Sequence, residues 1–591
     1  PTLSGFLRFD DRYRGKPLVF AGTVGLIPRK SAGRLSHVKK AQKGDYVVML
    51  GGRVGLDGIH GATFSSVALD SKSPATAVQI GDPITQKKLS DAIVKEARDM
   101  NLYNSITDNG AGGLSCSVAE MARESGGVEV DLEKVPLKYP GLRPWEIWIS
   151  ESQERMTLSI PKNKWRTFEK LMTSRGVEAT VIGKFTNSGN CVVKYLGKKI
   201  MDIDMEFLHN GLPKKNLYTE KITSPLTPLR NTKEGNYTKA LETLLGSKNI
   251  SGYAFISQQY DHEVQASSVL KPLSGRGRLN TDAQVFAPVL SSKKGVVLTS
   301  STYPSYGDIN MYDMAACAID TAVRNAVAAG GTLSHLALLD NFCWSSSGDP
   351  VRLGQLVDAV RACYDTAVAY GTPFISGKDS MWNDFKGYGE QGQPVKISIP
   401  PTLLISAIGV MKNYDKTVSP EFKKSGDIIY LLGETRDELG GGEYYKMHGF
   451  TGANVPKVNT EKNLKTYRTL ENAIQKEVLA SAMSVNSGGL GIALAKASLG
   501  GMLGCDTELQ SLGKSLGITQ KLFSESQGRV LVSVAPKNIR AFEKIIKNIP
   551  HARLGKVDGE MLKISENKRK LISIPVKKLH KIYHQFSDRM Q

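Results

Sequence analysis

With 591 residues the chain is too long for one hydrophobic core, since a domain holds roughly 100–200 residues; three or four domains are expected. Its 40% hydrophobic content, 58 glycines and 25 prolines fit an ordinary globular protein rich in tight turns, and exclude collagen, a coiled coil or bulk disorder. The net charge of +20 lies in scattered lysines and a lysine-rich end, without interleaved aromatics or Cys/His spacing, so a solvated surface explains it better than a nucleic-acid module.

In chain order, GDYVVMLGG (44–52) predicts a turn, a buried strand and a glycine exit. The overlapping LGGRVGLDGIHGATFSS (50–66) leaves many backbone N–H groups free to face an anion. It has neither the GKS or GKT of a Walker A loop nor a GxGxxG turn, so a phosphate cradle and a structural turn stand as equal alternatives. DNGAGGLSCSVAEMA (108–122) predicts a glycine loop opening a helix. At its start Asp108 suits two roles, holding Mg²⁺ against a phosphate or capping the helix. In SESQERMTLSI (150–160), Glu151, Ser152 and Gln153 enter a strand whose Met156, Leu158 and Ile160 share one face. Carboxylate, hydroxyl and amide together there make a phosphate- or polyol-binding edge, or simply a strand end.

PKNKWRTFEKLM (161–172) predicts a helix with Trp165, Phe168 and Leu171 on its apolar side, and DID in MDIDMEF (201–207) the solvated face of a strand. Residues 209–240, polar, basic and punctuated by proline, read as a linker. Cys343 in DNFCWSSSGDP is not in a nucleophile elbow, and there is no GxCxG, so no glutaminase or thiol-hydrolase centre is read. The nine histidines form no HExxH; His60 and His262 read as packing or loop residues. The six cysteines, Cys116, Cys191, Cys317, Cys343, Cys363 and Cys505, form no CxxC pair and point to a reducing, cytoplasmic setting. No apolar run approaches the roughly 18 residues of a membrane helix, and there are no signal-peptide zones.

Several of these words recur. SESQ at 150–153 returns at 524–527, 374 positions later, and PKNKWRTFEKLM is matched by PKNIRAFEKII at nearly the same separation. GDIIYLLG (426–433) answers GDYVVMLG, and SVNSGGL (484–490) answers DNGAGGL, which sets Ser484 opposite Asp108. A period this long means a duplicated multi-domain unit rather than a solenoid. Serine caps as well as aspartate does but brings no charge to a metal, so a metal site at Asp108 would have no equivalent in the second half. Recurrence of SESQ in both halves fits a structural role.

GGRVGLDGIHGATFSS, QIGDP, DNGAGGL, WEIWISESQERM and PFISGKDSM, in that order, resemble the ATP-dependent amidating synthetase subunit or domain of phosphoribosylformylglycinamidine synthase. The resemblance implies a mixed α/β fold, a tandem duplication of the aminoimidazole ribonucleotide synthetase-like two-domain fold. It implies ATP-dependent amidation of formylglycinamide ribonucleotide with ammonia from glutamine, the fourth step of purine biosynthesis, with ATP and Mg²⁺. By matching positions, Gln79, Glu151, Ser152, Gln153 and Ser380 are implied as substrate contacts, Asp340 and Gly377 as ATP contacts, and Asp108 as a Mg²⁺ ligand. Many members carry a metal-binding asparagine where this chain has Lys378; a protonated lysine cannot bind metal and could touch phosphate instead. Implied partners are a separate glutaminase subunit and a small bridging subunit, with no membrane and no nucleic acid.

The family's HNHPS-like string is absent, so no catalytic residue is assigned in this chain. In the second half Tyr303 of STYPSYGD takes the histidine's place and Asn325 replaces an aspartate, which makes that half a degenerate nucleotide site. PTLSG (1–5) aligns with PFISG (373–377), so the chain is expected to open on an interior strand of a first barrel-forming domain most of which it lacks, and to be inactive alone. The alternative is a degenerate, non-catalytic partner subunit. The expected divisions are 1–25, a remnant of that first domain; 26–208, the first C-terminal domain; 209–245, a linker; 246–412, the second N-terminal domain; 413–575, the second C-terminal domain; and 576–591, a basic tail.

Overall fold

The computed structural model describes residues 2–59, 61, 67–68, 81–221, 235–389, 391–513 and 515–590. They form two compact units, a smaller one of Leu18–Leu217 with Phe385–Lys396, and a larger one of Pro1–Pro17, Tyr218–Asp384 and Ile397–Gln591. Among the described residues no helix is long and apolar enough to cross a membrane, and all six cysteines are free thiols.

The smaller unit is built on seven strands: β1 (Tyr46–Gly51), β2 (Ser105–Asp108), β3 (Val128–Asp131), β4 (Arg155–Ile160), β5 (Ala179–Phe185), β6 (Asn190–Tyr195) and β7 (Lys198–Asp204). They lie in the order β2-β4-β1-β5-β3-β6-β7. The apolar run of GDYVVMLG is an interior strand, third of the seven, and both its faces are buried. Val47 and Met49 pack with Leu114, Val118 and Met121 of helix α2 (Leu114–Ser125) and Ile147 of α3 (Pro144–Ile149). Val48 and Leu50 face Leu89 of α1 (Pro83–Ala92) and Phe168 and Met172 of α4 (Trp165–Ser174). Trp165 and Leu171 border that second core, as the sequence predicts, with Met172 added to it.

Among the described residues the larger unit holds two large sheets and a two-stranded ribbon at Leu273–Ser274 and Leu279–Asn280. Its chain first forms helix α5 (Tyr237–Leu245), then β8 (Ser268–Leu270), β9 (Ala283–Phe286), β10 (Gly295–Ser301), helix α6 (Met311–Ala328), β11 (Leu336–Cys343), helix α7 (Pro350–Tyr370), β12 (Phe374–Ser380) and β13 (Thr402–Met411). The six strands run β8-β9-β10-β13-β11-β12, with β11 and β12 parallel. Helix α7 shows why its sequence stops and starts there: Asp349 accepts the N–H groups of Val351 and Arg352, Pro350 takes the first turn, and Gly371 closes it at φ +67°.

The second sheet comprises β14 (Ile428–Leu432), β15 (Ser481–Ser484), β16 (Cys505–Glu508), β17 (Val530–Val534), β18 (His551–Val557), β19 (Met561–Glu566) and β20 (Arg569–Pro575). Its order, β15-β17-β14-β18-β16-β19-β20, is that of the smaller unit's sheet, strand for strand. Helices α8 (Thr460–Gln475) and α10 (Ile539–Ile546) cover one face, in a core continuous with α6, and α9 (Gly489–Gly501) and α11 (Val576–Met590) cover the other.

Three expectations are corrected. The residues read as a basic tail form α11, whose Val576, Leu579 and Tyr583 are buried and whose His584 bonds the Gly277 carbonyl at 2.9 Å. The end of the expected linker is α5, with Leu241, Leu244 and Leu245 buried in the same core. The opening segment is not an interior strand: no described residue before Lys30 is in one. Residues 2–17 instead bond within the larger unit, through Phe9 N–H to Asn249 (2.8 Å), Arg8 to Glu443 (3.0 Å) and Tyr13 to Thr402 (2.6 Å).

Candidate functional site

The SESQ turn leads into β4, the strand between β2 and β1 in the smaller unit's sheet. Its polar side chains divide between inside and outside. Ser150 Oγ donates to the Gly55 carbonyl at 2.8 Å, while Ser152 Oγ accepts Gly55 N–H at 3.1 Å and donates to Asp57 at 3.2 Å. Ser152 is 1% exposed, and its hydroxyl holds Gly55 and Asp57 from within. Gln153 is exposed, its amide donating to the Glu151 carbonyl at 2.9 Å. A Glu151 carboxylate oxygen accepts the Gly112 N–H at 3.0 Å. Gln79 lies outside the described residues.

Asp108 ends β2 with an exposed side chain. The capping alternative is not realised, because the cap of α2 is Gly113 and no side chain bonds there. The glycines after Asp108 are required by close approach. A Cβ on Gly110 would lie 2.7 Å from Asp108 Oδ1, and one on Gly113, at φ +56°, would lie 1.8 Å from the Ser150 carbonyl. The loop therefore brings Asp108 and the SESQ turn together, and an exposed carboxylate is a hard oxygen donor of the kind Mg²⁺ takes. Among the described residues no group of three or more His, Cys, Asp or Glu is placed to hold a metal.

Arg155, two residues after Gln153 and 4% exposed, fastens this turn. It donates from Nε to the Ser152 carbonyl (2.7 Å) and from Nη2 to the Ser150 carbonyl (2.5 Å). Burial pulls its pKa down to about 10, with Asp57 pulling the other way. Burial pushes the Asp57 carboxyl up, but the Lys138 ammonium at 2.6 Å and the Ser152 hydroxyl outweigh it and hold that group below the usual carboxylate range.

In the larger unit, β11 and β12 set Asp340 opposite Gly377 and Cys343 opposite Ser380. A Cβ on Gly377 would lie 2.4 Å from Asp340 Oδ1, so the two sequence-predicted residues are one steric unit. Burial, with Asp379 nearby, raises the Asp340 carboxyl above its ordinary value against the pull of the Lys378 backbone N–H. Ser380 is 6% exposed and meets the Asn383 amide at 3.2 Å, and Lys378 donates to the Asp379 carbonyl at 2.8 Å.

The counterpart of the SESQ turn repeats the same bonds. Glu525 accepts Gly488 N–H at 2.7 Å, and Arg529 donates to the Ser526 (3.0 Å) and Ser524 (2.5 Å) carbonyls. What differs is the place facing it. Ser484, opposite Asp108 in the alignment, accepts from the guanidinium of Arg324, which is 0% exposed and also bonds Asp320, Thr321, Gln527 and Asn486. Tyr303 is a packing residue, stacked on Tyr306 at 4.6 Å, whose hydroxyl donates to Glu525. Sequence reasoning missed Arg155, Arg529 and Arg324. The first two had a signal, an arginine two places after each SESQ, and the third stands one turn from Asp320 inside an apolar helix.

The sequence matches the family described as AIR synthase related protein, C-terminal domain, over residues 42–196 and again over 424–564, and its N-terminal domain counterpart over 280–411. Phosphoribosylformylglycinamidine synthase subunit PurL of Thermoplasma volcanium is 31% identical over 98% of this chain and 74% of its own length. The chain belongs to the PurL family. PurL proteins of Thermococcus sibiricus and Methanocaldococcus jannaschii are each 31% identical, over 99% and 100% of this chain and 78% and 79% of their own. Members of the PurL family are ATP-dependent ligases, and this chain is an enzyme of that class. Thermotoga maritima PurL complexed with FGAR shares the fold, at a TM-score of 0.63 and 22% identity over 89% of this chain and 73% of that one. That protein is also known complexed with ATP and within PurLQS. Similarity to PurL over nearly the whole chain gives no support to the expectations that the chain is inactive alone or a non-catalytic partner, and neither is carried further.

Proposed function

We propose that this chain catalyses the ATP-dependent amidation of formylglycinamide ribonucleotide in purine biosynthesis, using ammonia delivered by a separate glutaminase subunit of the PurQ kind with a small PurS-like subunit. The substrates follow from the complexes of the Thermotoga maritima relative with FGAR and with ATP, and the partners from its PurLQS assembly. The carrying observation in this chain is the exposed Asp108, offered by a glycine loop that the SESQ glutamate holds. ATP would phosphorylate the amide oxygen of the substrate, and ammonia would displace that phosphate to give the amidine. The protein's part is to position and to polarise.

Asp108 would hold Mg²⁺, which when bound supplies neutralisation of the polyphosphate charge. Gln153, exposed on the SESQ turn, would donate to the substrate, while Glu151 and Ser152 fix the edge from which Gln153 projects. Asp340, seated over Gly377, would meet the nucleotide, with Lys378 and Ser380 at the following positions of β12. The two seven-stranded sheets and the doubly matched C-terminal domain support a tandem duplication, the second copy having become structural around Arg324. A cytoplasmic setting fits the six free thiols. The test is formation of the amidine and ADP from formylglycinamide ribonucleotide, ATP, Mg²⁺ and ammonium by the purified chain. Formation of ADP that does not depend on the ribonucleotide would count against the reading.

A further inference from the structure

We propose that Arg155 is a positioning residue of the first-half site: it fixes the Ser150–Gln153 turn and, through Glu151, the glycine loop that presents Asp108 to an anionic ligand. The inference rests on the functional reading above for the nature of that ligand. Four contacts trace the path. The guanidinium donates to the carbonyls of Ser150 and Ser152, on either side of Glu151. The Glu151 carboxylate, so aimed, accepts Gly112 N–H. Asn109, next to Asp108, donates its N–H to the Arg155 carbonyl at 3.3 Å. At the far end of the loop, Gly113 passes so close to the Ser150 carbonyl that only a hydrogen fits between, and the space where its Cβ would stand is 3.3 Å from Arg155 Nη2. One side chain thus touches the turn while its backbone and its neighbours hold both ends of the loop.

The hydrogen-bond partners of this guanidinium among the described residues are two carbonyls and, at 4.0 Å, the Met49 sulfur; none is a carboxylate. A buried arginine bonded only to neutral acceptors is costly to keep, which argues that its geometry, and not an ion pair, is what it contributes. The second half holds a matched control. Arg529 is likewise buried and makes the same two carbonyl bonds, with one more to Thr435 at 3.0 Å, but the loop it steadies leads back to Ser484, already bonded to Arg324. Equal fold roles with unequal ligand roles separate positioning from stability.

The experiment compares Arg155→Lys and Arg155→Met with Arg529→Lys and Arg529→Met in the full chain. Lysine keeps the charge but cannot span both carbonyls. The 155 variants are expected to lower kcat/KM for amidation about tenfold or more, chiefly through KM, whereas Arg529→Lys stays within about twofold of wild type at a similar loss of Tm. Amide hydrogen exchange supplies a readout independent of turnover: Arg155→Lys speeds exchange at Gly112 and leaves Gly488 unchanged. Activity and Gly112 exchange both unchanged in Arg155→Lys would overturn the positioning role. A wild-type chain that forms no amidine would strike the functional reading instead, and the exchange result would still decide for or against Arg155. If the methionine variants fail to fold, the lysine variants carry the comparison.

Discussion

Replacing Arg324 by methionine tests how the second half is held together. The guanidinium is fully buried and bonds Asp320 at 2.6 Å, Ser484 at 2.7 Å, Asn486 at 2.9 Å, and Gln527 and Thr321 at 3.0 Å. Methionine fills much of the volume but leaves the Asp320 carboxylate, among the described residues, with only the neutral donors Tyr370, Tyr467 and Asn463. Breaking one side of such a buried pair costs about 3–5 kcal/mol. Adding Asp320→Asn removes the stranded charge, so the double variant is expected to be more stable than Arg324→Met alone, with a coupling of about 2–3 kcal/mol across the cycle. Differential scanning calorimetry of the four proteins reads both quantities. Activity per folded molecule should be unchanged, because the pair lies in the half read as structural. An Arg324→Met protein within about 1 kcal/mol of wild type, or a double variant no better than the single, would refute the reasoning.

Gly377→Ala would push a methyl against Asp340 and is expected to raise KM for ATP severalfold with little change in Tm, measured by steady-state ADP release. Leu579→Ala, in the helix that replaces the expected tail, should cost about 2–5 kcal/mol by thermal melting, which a disordered tail would not. Burial pushes the Asp313 carboxyl to about 6, against the pull of Lys457. Its folded pKa is thus raised, and its contribution is fully present below about 4 and lost as pH rises to about 6. Asp313→Asn should flatten the fall in stability between those pH values, read from melting temperatures across that range.

The parts of the fold legible in the sequence are those decided by local pattern. Val47 to Leu50 are four apolar residues between a glycine turn and a glycine exit, and they form a strand buried on both faces. The GGL loops open helices in both halves because only glycine fits beneath the Ser150 and Ser524 carbonyls. Recurrence of SESQ had suggested structure, and the two arginines supply the reason. Helix α11 escaped notice because its apolar stripe of Val576, Leu579 and Tyr583 is interleaved with lysines and histidines, so composition reads as solvated while spacing reads as helical. Arg155 and Arg324 were out of reach for another reason. Their acceptors are carbonyls and side chains that long-range folding brings near, and no spacing along the chain records them. The same holds for Ser152, whose residue type suits a ligand contact but whose direction is set by Gly55 and Asp57 about a hundred positions away. The opening segment misled because its likeness to PFISG carries a word of sequence but not the neighbours that make that word a strand.

The asymmetry between the halves is tested most directly by a matched pair of substitutions in one assay. Amidine formation from formylglycinamide ribonucleotide, ATP, Mg²⁺ and ammonium is measured for Asp108→Asn and for Ser484→Ala. Asp108→Asn should lower kcat about a hundredfold or more, about 2.7 kcal/mol or more in the barrier, while Ser484→Ala retains wild-type kcat at some loss of stability. Full activity in Asp108→Asn, or its loss in a folded Ser484→Ala, would contradict the account.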